Sequence, residues 1–312
     1  MAKWNNRQKV LFFKEGDSYC SPNFKRNNEC NVNSNIHISF ANVNDNNVKV
    51  SEIRLTKPLN LEKRKNNFTL CNSNDSVINL FQLNIQSLSN KILQTNTFLQ
   101  ADQPLDILCI NEHWLQEDQL GVCLFENYTL LSHFCRREHI HGGVSIFVHN
   151  SVLPLCKTLK VERYCKEIHA EFAAIKFRNF NIISLYRSTK GSFDIFLLQL
   201  ELLLTEMCKK KELIIISGDF NTHFNLNDNQ VQTLRYLLRS FDLKELITSP
   251  TRGKNCLDNI FTNLSADKYL ATAYNPGLSD HAGVCITFMT SKINTVKKEI
   301  THRPVTQLGL FK

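Results

Sequence analysis

The feature that most constrains this 312-residue chain is a repeated junction, in which a short apolar run stops at a polar residue able to bind a metal ion or a phosphate. Val77–Leu83 stops at Asn84, and Ile107–Ile110 leads into Glu112. Phe180–Leu185 closes on Tyr186, and Leu213–Ser217 runs into Gly218-Asp219-Phe220-Asn221. Asp280 and His281 stand immediately before Ala282–Phe288. Apolar runs of about four to eight residues read as buried strands. Strand ends are rigid, so short side chains at several ends can converge on one point.

The intervening segments predict helices and more strands. Ser192–Lys210 is the clearest helix. Ser192 is its N-cap, Asp194 lies in the first turn, and Leu197, Leu200, Leu203 and Leu204 share a face. Lys209–Lys211 sit at the negative end of its dipole. Lys91–Gln100 has weaker helical spacing, and Gln230–Phe241 places Leu234, Leu237, Leu238 and Phe241 on one side. Strands are expected at Asp106–Asn111, Tyr128–Ser132, Gly143–His149, Leu257–Thr262 and Leu270–Tyr274. Glu167–Phe177 and Phe180–Tyr186 form a hairpin turning at Arg178–Asn179. Hairpins mixed with crossover helices imply an α/β layered fold, with mixed sheets covered by helices.

Composition divides the chain into three. Residues 1–75 hold 17 Asn and show no sustained period, so they read as a mostly disordered, basic segment, with Ile36–Phe40 and Val48–Ile53 as isolated strands. Residues 76–290 form the domain, and 291–312 a basic tail or linker. Lys and Arg outnumber Asp and Glu by 12 to 7 in the first part and by 5 to 1 in the last, but stand at 20 to 21 in the domain. Basic flanks attract a polyanion nonspecifically, or are simply solvated tails. The 42% hydrophobic content suffices for a core. No run of about 18 apolar residues is present, so no membrane partner is expected. The N-terminus has no secretory apolar segment. Eleven cysteines without a C-x-x-C pair suggest neither zinc-ligand spacing nor a disulfide framework. They point to a reducing, intracellular setting, cytoplasmic or nuclear.

The residues at the junctions suit phosphodiester chemistry. Mg²⁺ takes hard oxygen ligands and keeps several waters, so one or two carboxylates suffice, and Glu112 with Asp280 or Asp219 meets that need. Cleaving a phosphodiester requires positive charge and hydrogen-bond donors around the phosphate. His281, Asn221 and Tyr186 supply donors, Asp219 suits a water-activating base, and Asp258 can hold a histidine in its charged or correct tautomeric form. Taken singly, each has an ordinary explanation. Asn84 can be a turn residue, Glu112 a solvated strand end and Tyr186 a packing residue. Gly-Asp-Phe-Asn can be a tight turn, and Ser279-Asp280-His281 an N-cap or turn. Their joint order carries the case.

Two stretches, Leu83-Asn84-Ile85-Gln86-Ser87-Leu88-Ser89-Asn90-Lys91 and Pro104-Leu105-Asp106-Ile107-Leu108-Cys109-Ile110-Asn111-Glu112-His113-Trp114-Leu115, resemble the opening motifs of the endonuclease/exonuclease/phosphatase superfamily. They are especially similar to the apurinic-type endonuclease domains of jockey-like non-LTR retrotransposons. The resemblance continues through Gly142-Gly143-Val144, Leu185-Tyr186-Arg187, Gly218-Asp219-Phe220-Asn221-Thr222-His223, Pro250-Thr251-Arg252, Leu257–Asn263 and Ser279-Asp280-His281. It implies a four-layer sandwich of two mixed β-sheets flanked by helices. It implies Glu112 as principal ligand of Mg²⁺, or of Mn²⁺ in its place, assisted by Asn84 and Asp280. Asp219 would orient or deprotonate water, Asn221 and Tyr186 would bind phosphate with Arg187 facing the substrate, and His281, held by Asp258, would stabilise the transition state. Two positions depart from the pattern. Ser188-Thr189 stands where relatives often carry prolines, and Cys256 where they carry Ser or Thr. The implied activity is a DNA endonuclease that nicks a strand and leaves a 3′-hydroxyl for reverse transcription. A full-length element would add a reverse-transcriptase module, which this sequence lacks. The alternatives are a phosphoesterase acting on inositol phosphates, sphingomyelin or RNA, or an inactive retroelement remnant that only binds nucleic acid.

Overall fold

A computed structural model describes residues 38–44, 47–53, 75–100, 105–208 and 212–291. Near the N-terminus, where isolated strands were expected at Ile36–Phe40 and Val48–Ile53, the structure has β1 (Ile38–Asn44) and β2 (Asn47–Ile53). They pair with each other instead, antiparallel from Ile38–Ile53 to Asn44–Asn47. Pairing gives their backbone N–H and C=O groups partners that lone strands lack. The rest of the expected irregular segment, and the basic tail beyond Ser291, lie outside the described residues.

The domain runs β3 (Asp75–Asn84), α1 (Ile92–Leu99), β4 (Ile107–Asn111), α2 (Glu117–Gly121), β5 (Tyr128–Phe134), β6 (Val144–His149) and β7 (Cys156–Thr158). It continues through β8 (Glu171–Phe177), β9 (Phe180–Tyr186), α3 (Phe193–Met207), β10 (Leu213–Asp219), α4 (Asn229–Ser240) and β11 (Lys244–Glu245). It ends with β12 (Asp258–Thr262), β13 (Tyr269–Tyr274) and β14 (Gly283–Ser291). One six-stranded sheet has the order β13-β14-β3-β4-β6-β5, and the other β11-β12-β10-β9-β8-β7. Both are mixed. β3 pairs parallel with β4, and β9 with β10, while the other neighbours are antiparallel. A parallel pair needs a crossover connection, and α1 and α3 lie in those two crossovers.

The sheets face one another across an apolar core that includes Leu80, Ile107, Ile146, Ile182 and Ile286. Phe196, Leu200, Leu203 and Leu204 of α3, with Val231, Leu234 and Leu238 of α4, cover the second sheet. Leu99 and Leu120 bring α1 and α2 onto Phe81, Leu83, Leu108 and Ile110 of the first. The result is the four-layer sandwich. Ser192 and Asp228 cap α3 and α4, accepting from Ile195 N at 3.4 Å and Val231 N at 2.9 Å. Lys209–Lys211 lie outside the described residues. Among the described residues, no helix is long and apolar enough to cross a membrane.

Candidate active site

Successive residues of a strand point to opposite faces, and the inward faces change from apolar to polar toward one edge of the sandwich. In β3 the inward series is Ile78, Leu80, Gln82, Asn84; in β4 it is Ile107, Cys109, Asn111. The register aligns these ends. Asn84 is level with Asn111, Tyr186 with Asp219, and Asp219 with Asp258. His281 lies two residues before β14, which pairs with β3.

One nitrogen ties the two sheets at this edge. Asn84 Nδ2 donates to Glu112 Oε1 and to Asp219 Oδ2, both at 2.8 Å. Glu112 Oε2 accepts from Trp114 Nε1 at 2.8 Å, and the charge of Glu112, after burial, raises the proton affinity of the Tyr186 hydroxyl. Glu112 has a φ of 52°, in the sparsely populated left-handed region. That backbone bends the chain at the end of β4 and keeps the carboxylate half-buried at the edge. Gly143, with a φ of 89°, makes room beside it: a Cβ there would meet the His113 ring at 2.3 Å.

Asp219, 1% exposed, also accepts from Asn221 N at 2.8 Å. Burial first, and then the charge of Asp258, raise its affinity for a proton. Asp258 Oδ2 accepts a 2.8 Å bond from His281 Nδ1, and both side chains are fully buried. Burial opposes the charged imidazole, but the hydrogen bond and charge of Asp258 outweigh it and raise His281 to about 8. With Nδ1 held by Asp258, Nε2 has no hydrogen-bond partner among the described residues. Asp219, Asp258 and His281 each offer a ligand atom within 4.8 Å of the others. A cavity of about 550 Å³ adjoins, with Asn221, Arg252, Lys254 and Asp280 in its wall.

The sequence model of the endonuclease/exonuclease/phosphatase family matches residues 81–281. The chain belongs to this family. Among solved structures it resembles the endonuclease domain of TRAS1, a telomere-specific non-LTR retrotransposon, at 16% identity and a TM-score of 0.53, over 68% of this chain and 98% of that one. It resembles the 3′-5′ exonuclease NExo of Neisseria meningitidis at 17% identity and a TM-score of 0.53, over 68% and 99%. The AP endonuclease of Leishmania major matches at 12% identity and a TM-score of 0.53, over 69% and 88%. These likenesses show the endonuclease/exonuclease/phosphatase fold. No curated protein sequence matches the chain.

Enzymes of this family typically use divalent metals. The donor set fits a hard cation: carboxylates and amides stand at the site's mouth, and the free cysteines nearest in sequence, Cys109 and Cys256, are buried. The structure brings together Asn84, Glu112, Tyr186, Asp219, Asn221, Asp258 and His281. It places two expected residues differently. Asp280, expected as an assisting ligand, is half-exposed and paired with Arg252 at 2.8 Å, with Oδ1 4.0 Å from His281 Nε2. Arg187, expected to face the substrate, is 5% exposed. Its guanidinium donates to the carbonyls of Phe220, at 2.7 Å, and Asn221. It stitches the Asp219–Asn221 turn to β9 because buried carbonyls there need donors. Cys256 is buried with Sγ directed at the Ile247 carbonyl, 3.6 Å away.

Several supporting residues lay inside the quoted motifs without an assigned role. Trp114 holds Glu112, and Ser279 Oγ donates to Asn84 O at 2.6 Å. Thr251 Oγ1 accepts from Asp258 N at 3.0 Å. Just outside the first motif, Gln82 Nε2 donates to Asn111 Oδ1 at 2.6 Å and Asp258 Oδ1 at 3.4 Å. A polar residue at every second position near a strand's end was the available signal. Arg136 and Glu171 gave none. They form a buried pair at 2.5 Å, with the guanidinium 5.8 Å from the centre of the Tyr186 ring.

Proposed function

We propose that the chain is a divalent-metal-dependent phosphodiesterase that nicks DNA and leaves a 3′-hydroxyl, with Mg²⁺ as the ion and Mn²⁺ as its substitute. The observation that carries this reading is the pairing of two carboxylates from opposite sheets, Glu112 and Asp219, through Asn84, beside a His281–Asp258 couple whose Nε2 is unpartnered. The choice of DNA is supported by the likeness to a retrotransposon endonuclease domain and to an AP endonuclease, and by a similar Neisseria structure bound to a product DNA hairpin. A jockey-like role in priming reverse transcription is the finer part of the proposal and rests on the motifs.

Glu112 would hold the cation, with Asn84 beside it. The ion would offset phosphate charge and favour ionisation of bound water. Asp219, kept in place by Asn84 and Asn221, orients a water and takes its proton. The water oxygen attacks phosphorus and the P–O3′ bond breaks, so the strand ends carry a 5′-phosphate and a 3′-hydroxyl. His281, held charged by Asp258, donates from Nε2 to a phosphate oxygen where negative charge grows. Asn221 and Tyr186 bind the remaining oxygens. Asn221 Nδ2 donates to Arg187 O here, so substrate binding exchanges that bond for one to phosphate.

The test is a supercoiled plasmid with Mg²⁺, with and without EDTA. The expected result is EDTA-sensitive conversion to open circles whose ends a polymerase extends without prior phosphatase treatment. Intact plasmid alongside hydrolysis of inositol phosphates or sphingomyelin would transfer the site to another substrate. Intact plasmid with no phosphoester hydrolysed would leave a nucleic-acid-binding remnant.

A further inference from the structure

A second group of metal-ligating side chains lies outside the active site, at the end of edge strand β5. His133 and Cys135 are two residues apart in extended chain, so they share a face. A register shift between Leu130 and Ser132 sets which face that is. Glu117, in the first turn of α2, reaches His133 with Oε1 2.6 Å from Nε2. One ligand atom from each of Glu117, His133 and Cys135 lies within 4.8 Å of the other two. Cys135 is 7% exposed and belongs to the apolar cluster that also holds Leu115 and Leu120. The side chains of His133 and Glu117 are 30% and 68% exposed, which leaves a route from solvent and a carboxylate free to adjust.

We propose that Glu117, His133 and Cys135 form a second cation site, for Zn²⁺, with water completing four-coordination. Carboxylate oxygen, imidazole nitrogen and thiolate sulfur are zinc's own ligand types. Around a tetrahedral Zn²⁺ such atoms stand about 3.3–3.6 Å apart. The Glu117–His133 contact must open by less than about 1 Å, and the separations to Cys135, none above 4.8 Å, need close by no more than about 1.5 Å. A hard ion such as Mg²⁺ would not favour the thiolate. Binding releases the Cys135 thiol proton and any proton shared between His133 and Glu117 to solvent.

The position gives this site a structural role. His113, next to Glu112, bonds the Phe134 carbonyl through Nε2 at 3.1 Å and accepts from Leu115 N through Nδ1 at 3.0 Å. Residues 133–135 therefore already clamp one end of the loop that carries Glu112. The ion clamps the other end through Glu117. It stiffens that loop without touching substrate.

Titration of the full chain with Co²⁺ tests this, because a cysteine-bound Co²⁺ shows a thiolate charge-transfer absorption in the near ultraviolet. The expected band saturates at one equivalent and disappears when Zn²⁺ is added. It persists in Glu112→Gln, which separates this site from the proposed catalytic one. It is lost in Cys135→Ser, and His133→Gln weakens binding by about tenfold or more. Zn²⁺ raises the melting temperature of the wild type and not of Cys135→Ser, with both giving the same circular dichroism. No band at saturating Co²⁺, or a full band in Cys135→Ser, overturns the proposal.

Discussion

Asn84 donates from one nitrogen to carboxylates on different sheets, so small changes at that point act on Glu112 and Asp219 together. Under the proposed roles, Asp219→Asn lowers the nicking rate by about 10²–10⁴-fold with an unchanged melting temperature; near wild-type nicking would remove Asp219 as the base. Trp114 acts one bond further out, through Nε1 to Glu112 Oε2. Trp114→Phe keeps an aromatic ring but loses that donor, and the Mg²⁺ needed for half-maximal nicking rises about tenfold. A superimposable Mg²⁺ titration would deny Trp114 this part. Under the same proposed roles, the pH dependence follows from two opposed ionisations. Asp219 must be ionised, and burial raises its proton affinity, so activity falls on acidification. His281 must be protonated, so kcat/KM falls again as pH rises through about 8. Asp258→Asn removes the charge that raises His281, and the alkaline limb moves to lower pH; a limb that stays put would separate Asp258 from His281. The residues of this network stood in the sequence as strand-end polar groups. The burial of Arg187 and the exposure of Asp280 were not legible, because both depend on neighbours from the Phe220 and Arg252 turns.

Elements were read where a period of two or 3.6 had room to repeat. The apolar runs became β3, β4, β9, β10 and β14, and the leucine spacing became α3. β10 runs two residues beyond its apolar stretch, to Asp219, because Gly218 pairs against β9 and β12 like any strand residue. α2, β7 and β11 span five, three and two residues, too short to show a period, and they went unread. The close packing of β9 against β10 also leaves no mark in a single sequence. A Cβ on Gly218 would stand 2.0 Å from the Leu185 carbonyl oxygen, a backbone atom of the adjacent strand. Gly218→Ala therefore separates the strands beside Asp219 and destabilises the fold by about 2–3 kcal/mol, visible as a lower urea midpoint. An unchanged midpoint would show that β9 can yield.

Across the whole molecule, charge and topology act over longer distances. Residues 76–290 carry 20 Lys and Arg against 21 Asp and Glu, so the domain offers little net attraction to a polyanion, and the positive excess lies in the flanks. Binding of the full chain to duplex DNA is expected to weaken steeply with salt, and that of residues 75–291 to weaken less, since each phosphate contact adds about 0.9 to the log–log slope. Equal slopes in filter-binding titrations would place the contacts in the domain. Which strands neighbour which could not be read from periodicity, because β14 sits beside β3 across some two hundred residues of chain. The resemblance conveyed the four layers and two mixed sheets, and the strand order came only with the structure. The same long-range pairing bears on synthesis. His281 and β14 emerge from the ribosome after every other proposed active-site residue has been made, and β14 must still be threaded between β13 and β3. A nascent or prematurely terminated polypeptide therefore lacks the assembled set of residues proposed as the active site, and that set is complete only once translation has passed β14.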